Sequence, residues 1–403
     1  MLLSIVACSS QPSDTDDDKN DNDSENTPSQ GDGSGSNGKK DITFGNLPNN
    51  IFQSKASLCF AEGRVFYIRE KDYMLCSFNL DGSDFREHCT ITVTEDIVNA
   101  PIPCLNYYSG CIYYTVYADA IGEIDPSEIR RYDLKSGEIE TVYSVVPEAG
   151  AKGARVTTKS MLIINDTLCY SYYIHDFSTN NGRIYVDTID LTTGKAYPLT
   201  SSGDSFKFGF DTDGTYLYLI WNGKLATVSS VKRVLLSELY KENPEVEDII
   251  GRSYYPYSDV LDNNGLYAII KKSSDETIYG FYSHKALAGD KFTLAPEEIA
   301  AVTYNNNSGT EEATIDNLGF DGGSHYMLKD ARVTLDAYDH HLRIFYSKNL
   351  DWRESTLVAD PEYNNAIYRT RYYGEYNDTL YFVIEDSDGN TSLHFLTADG
   401  NYQ

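Results

Sequence analysis

A turn, then a short apolar and aromatic run rich in tyrosine, then a second turn: this phrase recurs along the whole chain. It begins at Gly63 (GRVFY), Gly110 (GCIYY), Asp166 (DTLCY), Gly214 (GTYLY), Gly265 (GLYAI), His341 (HLRIFY) and Asp378 (DTLYF). Three copies are followed by near-identical endings, FNLDG from Phe78, YDLKSG from Tyr132 and IDLTTG from Ile189, and a looser one, FLTADG, begins at Phe395. Short runs of alternating or fully apolar pattern between Asp-Gly, Asn-Gly and Ser-Gly turns are the signature of β-hairpins, so each unit is a meander. Their return every roughly 47–57 residues matches the period of a propeller blade. The expected fold is all-β, a single β-propeller of four-stranded blades with short helical insertions.

Composition supports one large all-β unit. The 403 residues include 34 Tyr against 16 Phe and 2 Trp. Tyrosine forms strands well and can bury its ring while its hydroxyl stays wet. A formal charge of −28 excludes a nucleic-acid backbone as partner, because that binding needs clustered Lys and Arg to displace counterions. A monomer is expected.

The N-terminus reads as a membrane address. Residues 1–8 end in Ile5-Val6-Ala7-Cys8, the lipobox pattern in which cleavage exposes a cysteine for diacylation, so Cys8 is the expected lipid anchor and a bacterial envelope, outside the cytoplasm, the expected location. Residues 9–40 are Ser, Asp, Asn and Gly with almost no apolar side chain, a composition that cannot order itself. As a tether, such a length spans roughly 30 Å, and the propeller occupies residues 41–403. Asp14, Asp16, Asp18 and Glu25 fall at spacings of a calcium loop, but Lys19 stands where its turn glycine belongs, and the run reads as solvated acid.

Seven blades are counted, with six and eight left open by the weak outer strands around residues 332–360 and by the long stretch 296–330. The last unit reads as complete only to its third strand, and Ile42-Thr43-Phe44 is expected to supply the missing fourth, since ring closure protects an exposed edge. Long excursions at 118–127, 145–158, 175–182, 237–256 and 296–330 fall on the blade end that carries the second-to-third and blade-to-blade connections. Pro244 and Pro296 each precede acidic and apolar residues in the manner of helix starts. That decorated end is the expected recognition surface.

Candidate binding residues cluster there. Trp221 and Trp352 fall at expected second-to-third turns, and Tyr254, Tyr255 and Tyr257 precede the fifth blade, offering rigid aromatic area for sugar rings or peptide side chains. His175 lies in one of the excursions. The competing reading makes both tryptophans packing residues. No metal site or cofactor is expected, because His340, His341 and His325 lack ligand spacing, and the DTDG and DSDG pieces at Asp211 and Asp386 supply too few oxygens and lie where turns are due. Nucleophile-elbow, phosphate-loop and dinucleotide motifs are absent from the chain. Cys59, Cys76, Cys89, Cys104, Cys111 and Cys169 read as free thiols, most of them in apolar strand patterns.

The lipobox, the low-complexity tether and the repeated G-x-φ-Y-Y and φ-(D/N)-L-x-G phrases together make residues 42–403 similar to a family of uncharacterised bacterial lipoproteins whose propeller is related to TolB-like and low-density-lipoprotein-receptor-like domains. The YWTD tetrapeptide of the receptor group is absent. The resemblance implies an extracytoplasmic propeller that binds an extracellular glycan, peptide or protein, and it carries over no catalytic residue. A glycoside hydrolase or polysaccharide lyase using the same face is the alternative, and a structural component of an envelope complex is a third.

Overall fold

The computed structural model describes residues 58–69, 71–91, 104–116, 127–145, 154–176, 181–203, 205–223, 229–253, 260–262, 265–272, 276–289, 297–303, 324–328, 331–338, 341–348, 356–363 and 367–403. Contacts divide the chain into Met1–Ile42 and Thr43–Gln403, and every described residue belongs to the second unit. The leader, the tether and the strand expected at 42–44 therefore lie outside the described residues. Among the described residues no helix is long and apolar enough to cross a membrane.

The described strands form seven antiparallel sheets, six of four strands and one of three. The first comprises β1 (Leu58–Ala61), β2 (Arg64–Arg69), β3 (Met74–Asn79) and β4 (Arg86–Thr90). The second comprises β5 (Leu105–Tyr108), β6 (Cys111–Val116), β7 (Ser127–Asp133) and β8 (Ile139–Val145), and the third β9 (Ala154–Ile164), β10 (Thr167–Asp176), β11 (Asn181–Asp190) and β12 (Ala196–Gly203). The fourth runs β13 (Ser205–Thr212), β14 (Tyr216–Gly223), β15 (Ser229–Leu235) and β16 (Glu247–Ser253). The fifth runs β17 (Val260–Asp262), β18 (Gly265–Lys272), β19 (Glu276–Ser283) and β20 (Glu297–Thr303). The sixth has β21 (Ser324–Leu328), β22 (Ala331–Tyr338), β23 (His341–Lys348) and β24 (Thr356–Ala359), and the last β25 (Ile367–Tyr376), β26 (Thr379–Asp386) and β27 (Thr391–Thr397). In each sheet the strands pair in chain order, which is the meander of a β-propeller blade.

The repeated phrase has a physical cause. Glu62 and Gly63, Ser109 and Gly110, and Asn377 and Asp378 all have positive φ, the backbone of a two-residue turn whose twist matches the strands it joins. The residue that follows the third strand then donates its N–H back to the start of the second. Leu80 reaches the Gly63 carbonyl at 3.1 Å, Leu134 reaches Gly110 at 3.1 Å, Leu191 reaches Asp166 at 2.7 Å and Ala398 reaches Asp378 at 2.9 Å. In the repeated ending, Asp133 Oδ1 accepts from the N–H groups of Lys135 and Ser136, and Asp190 Oδ1 from that of Thr192.

The second strands read as continuous apolar runs because both of their faces are covered. In β2, Phe66 and Ile68 pack with Leu105, Ile112 and Tyr114 of the second sheet, whereas Val65 and Tyr67 pack with Tyr381 and Val383 of the last. In β6 the same alternation sends Ile112, Tyr114 and Val116 to the first sheet and Cys111 and Tyr113 to the third. Side-chain period two thus stacks sheet upon sheet around a ring, and the first sheet meets the last.

Between sheets, the residue two places before the end of the third strand makes a recurring stitch to the following sheet's third-to-fourth connection. Thr188 Oγ1 donates to the Leu239 carbonyl at 2.8 Å, Arg233 Nη1 to the Leu287 and Gly289 carbonyls at 2.7 Å each, and the Tyr346 hydroxyl to the Ala398 carbonyl at 2.6 Å.

Several sequence expectations need correction. The residues after Pro244 and Pro296 form the outer strands β16 and β20 rather than helices, because each pairs with an edge, of β15 and β19, that would otherwise leave ladder groups unpaired. The helical pieces described are a 3-10 turn at Leu236–Glu238 and one turn of α-helix, α1, at His284–Leu287. In the sixth sheet the phrase opening at His341 is the third strand, since SHYML and ARVTLDAY supply the first two. Four residues of the excursion expected at 175–182 belong to the ladder, as β10 runs to Asp176 and β11 starts at Asn181, and residues 177–180 lie outside the described residues. The last sheet does not simply stop at its third strand. Residues 401–403 turn back along β27, with Phe395 and Gln403 exchanging backbone hydrogen bonds at 3.0 and 2.9 Å.

Candidate functional site

The register of β10 on β11 assembles a cluster that no short motif announces. Tyr172 stands opposite Tyr185, and Tyr170 opposite Asp187, so alternation brings all four side chains to one face of the third sheet. The rings of Tyr170 and Tyr172 stack with centroids 5.3 Å apart, and those of Tyr172 and Tyr185 at the same spacing. Tyr143, from β8 of the second sheet, tilts against Tyr170 at 5.7 Å. A tyrosine-lined wedge between two blades results. Both flanking ladders bulge beside it, β10 on β9 between Ser171 and Tyr172, and β11 on β12 between Val186 and Asp187. Such bulges re-aim side chains and concentrate near functional sites.

Asp187 is the chemical centre of the wedge. Its Oδ2 accepts from the Tyr172 hydroxyl at 2.9 Å and from Tyr170 at 3.2 Å. Among the described residues Oδ1 meets no donor, and no Lys, Arg or His pairs with the carboxylate. Burial raises its pKa above the usual carboxylate range, and the two tyrosine hydrogen bonds only partly oppose that shift. Burial also pushes the hydroxyls of Tyr170 and Tyr172 upward, keeping them protonated donors. Tyr170 is fully buried, while Tyr172, Tyr185 and Asp187 are partly open. A carboxyl with a perturbed pKa, set among aromatic rings and without a counter-ion among the described residues, is the group among them best suited to meet a ligand.

The groups around His394, Arg64, Asp213 and Asp386 are filled by their own partners. The His394 ring lies between the hydroxyls of Tyr363 (3.1 Å) and Ser392 (2.8 Å) on Nε2 and Tyr402 (2.8 Å) on Nδ1, and burial lowers its pKa to about 4. Arg64 donates to Ser77 Oγ, Asn79 Oδ1 and Asp84 Oδ2 and so fastens the third-to-fourth turn of the first sheet. Asp213 caps its own turn through Thr215 and Tyr216, and Asp386 does so through Asp388 and Asn390, the turn chemistry expected of the DTDG and DSDG pieces. Among the described residues no three His, Cys, Asp or Glu side chains gather to hold a metal ion. The six cysteines from Cys59 to Cys169 are unbridged, and all but the half-buried Cys89 are buried.

The residues singled out in the sequence are dispersed. Trp221 lies within β14, paired to Phe208 and Ser230, two places before the strand's end rather than in a turn. His175 is next to last in β10, paired to Gly182 and Arg155. Both belong to second strands and lie near the second-to-third end of adjacent sheets. Trp352, Tyr254, Tyr255 and Tyr257 fall outside the described residues. In chain order residues 349–355 separate β23 from β24, the third and fourth strands of the sixth sheet. The large apolar side chains exposed among the described residues, Phe85, Ile139, Tyr240, Leu357 and Tyr376, all lie at first-to-second or third-to-fourth connections, the end opposite the one expected to bind.

Asp187 was not singled out from the sequence. Its signal was the pairing of TLCYSYY with RIYVD, two tyrosines spaced by two facing a tyrosine and an aspartate with the same spacing, and that becomes visible only once the hairpin register is known.

No protein-family model matches the chain. No curated protein matches it either. Among solved structures, a puromycin-hydrolysing peptidase of Mycobacterium tuberculosis is similar over 89% of this chain and 54% of its own, at 11% identity and a TM-score of 0.50. An oligogalacturonate lyase of Vibrio parahaemolyticus is similar over 88% of this chain and 90% of its own, at 10% identity and a TM-score of 0.49. The β-propeller domain of the Trilobed protease of Pyrococcus furiosus is similar over 88% of this chain and 95% of its own, at 10% identity and a TM-score of 0.43. The chain spans about half the length of the mycobacterial peptidase. At this identity the likeness concerns the fold: the protein is a β-propeller.

Proposed function

We propose that this is an extracytoplasmic propeller, lipid-anchored through Cys8, that binds an extracellular glycan, peptide or protein, and that the wedge around Asp187 receives part of that ligand. The observation that carries the reading is the Asp187 carboxylate, held by two tyrosine hydroxyls without a cation. A partly buried charge left uncompensated is costly, and a bound partner that supplies a donor offsets the cost. Glycan and peptide arrays probed with the full-length protein and with Asp187→Asn test it. The expected result is a ligand class whose binding falls at least about tenfold in the variant, roughly the effect of one charge-assisted hydrogen bond. Ligands held equally by both proteins would remove the wedge from the site.

A second binding area at the second-to-third end is suggested by the positions of Trp221 and His175, each one pair short of the end of its second-to-third ladder in adjacent sheets. Trp221→Ala is expected to weaken binding there by about 1–3 kcal/mol, the range for an aromatic anchor. For the anchor, Cys8→Ser in the native precursor is expected to move the protein from the membrane fraction to the soluble one, and retention in the membrane would refute lipidation at that residue.

A further inference from the structure

Resting on the wedge as a binding site, we infer that the group it accepts is a primary ammonium, contributed by a lysine side chain or by an amino sugar. The argument starts from charge. Asp187 is a carboxylate with no Lys, Arg or His partner among the described residues, and its immediate neighbours are the rings of Tyr170, Tyr172 and Tyr185, with Tyr143 beyond. Aromatic faces carry negative potential, as the carboxylate does, so the rings and the carboxylate favour a cation and disfavour an anion; Arg183, one pair further along the same face, is exposed. The Tyr172 and Tyr185 rings would also accept a neutral sugar, but such a ligand would leave the carboxylate charge uncompensated.

The geometry separates ammonium from guanidinium. A guanidinium binds carboxylates best when both oxygens accept in parallel, and Oδ2 of Asp187 is already taken by two hydroxyl donors at 2.9 and 3.2 Å. One oxygen remains, suited to a compact point charge with a single strong donor. The stacked rings beside it, at 5.3 Å spacing, suit the methylene stem of a lysine or the apolar face of a sugar ring. A formal charge of −28 on the whole chain raises the local concentration of such cations.

The experiment uses the full chain and matched probes in calorimetric titrations at fixed ionic strength. The probes are a lysine-containing peptide and a glucosamine oligomer, each beside its N-acetylated counterpart. The expected result is that one amine probe binds, that its acetylated form binds at least tenfold more weakly, and that Asp187→Asn removes that difference. Glu242→Gln, which neutralises an exposed carboxylate elsewhere, is expected to leave the difference intact, which separates site binding from general attraction to an acidic protein. Tyr185→Leu, which removes one ring face without touching the carboxylate, is expected to weaken the amine probe severalfold while the melting temperature stays near that of the parent. The peptide and sugar arms identify the source. If acetylated and free forms bind alike but Asp187→Asn weakens both, the ammonium inference is overturned and the wedge remains a binding site. If Asp187→Asn and Tyr185→Leu change nothing, both fall.

Discussion

The Tyr67 hydroxyl donates to Thr391 Oγ1 at 2.7 Å and so joins the first sheet to the last. Around this bond Phe60 stacks on Tyr376 at 5.1 Å, Val65 and Tyr67 pack with Tyr381 and Val383, and the Lys71 N–H reaches Glu385 Oε1 at 3.2 Å. Among the described residues, the ring is therefore closed by side-chain packing between whole sheets. Tyr67→Phe is expected to cost about 1 kcal/mol, the net value of one buried hydrogen bond, and Tyr67→Ala about 3–5 kcal/mol, because the cavity adds to the lost burial. Chemical denaturation measures both. Equal, small losses would mean that the two sheets do not depend on one another.

The stitch made by Arg233 gives a second expectation. Its guanidinium is almost buried, pairs with Glu247 at 2.8 Å, lies 4.7 Å from the centre of the Tyr216 ring and serves the carbonyls of Leu287 and Gly289. Arg233→Met keeps much of the bulk but strands two carbonyls and a carboxylate. A loss of about 2–4 kcal/mol is expected. Thr188→Val, which removes a single neutral bond to the Leu239 carbonyl, is expected to cost about 1 kcal/mol by the same measurement. If the two variants lose the same stability, charge and bond number do not set the strength of the stitch.

Much of this architecture was legible in the sequence, and the reasons differ by element. β2 and the end of β3 fall where the GRVFY phrase from Gly63 and the FNLDG ending from Phe78 place them, because turn residues bracket runs apolar enough to be doubly covered strands. The outer strands were harder. They are short, half exposed and more polar, as REHCT in β4 shows, so propensity says little and pairing decides. That is why Glu247–Ser253 and Glu297–Thr303 looked helical locally and became strands in place. Asp187 escaped notice for a related reason, since its partners are spread over two strands and a neighbouring sheet, and only register gathers them.

Two half-buried ionisable groups give opposite responses to pH. For His394 burial lowers the folded pKa from the ordinary imidazole value, about 6.5, to about 4, so its stabilising contribution is complete above about 6.5 and is lost as pH falls through 4. The full effect is on the order of 3 kcal/mol by linkage, and His394→Gln is expected to flatten the acid side of the stability profile. For Asp187 burial raises the folded pKa, so its contribution is present below the usual carboxylate range and is lost as pH rises through the folded value. Asp187→Asn is therefore expected to be more stable than the parent at neutral pH while binding less well, the trade common at functional sites. Denaturation midpoints measured from about pH 4 to 8 check both signs. A variant that is less stable than the parent at neutral pH would show that the Asp187 hydrogen bonds outweigh the burial of its charge.

The two ends of the chain make the last test. Sequence pattern assigned the outer edge of the final sheet to residues 42–44, whereas residues 401–403 are seen returning along β27. Tyr402 carries much of this return. Its ring stacks on His394 at 5.9 Å and on Phe382 at 6.4 Å, and its hydroxyl lies 2.8 Å from His394 Nδ1. Removing residues 401–403 is expected to cost about 2–4 kcal/mol, the scale of one half-buried aromatic ring with its bonds. Removing residues 1–40 is expected to leave melting unchanged, since that composition buries nothing. Removal of residues 1–46 then discriminates. A further loss beyond that of 1–40 would assign part of the edge to the N-terminal segment, and an unchanged melting temperature would leave the edge to the C-terminal return and to the packing around Tyr67 and Thr391.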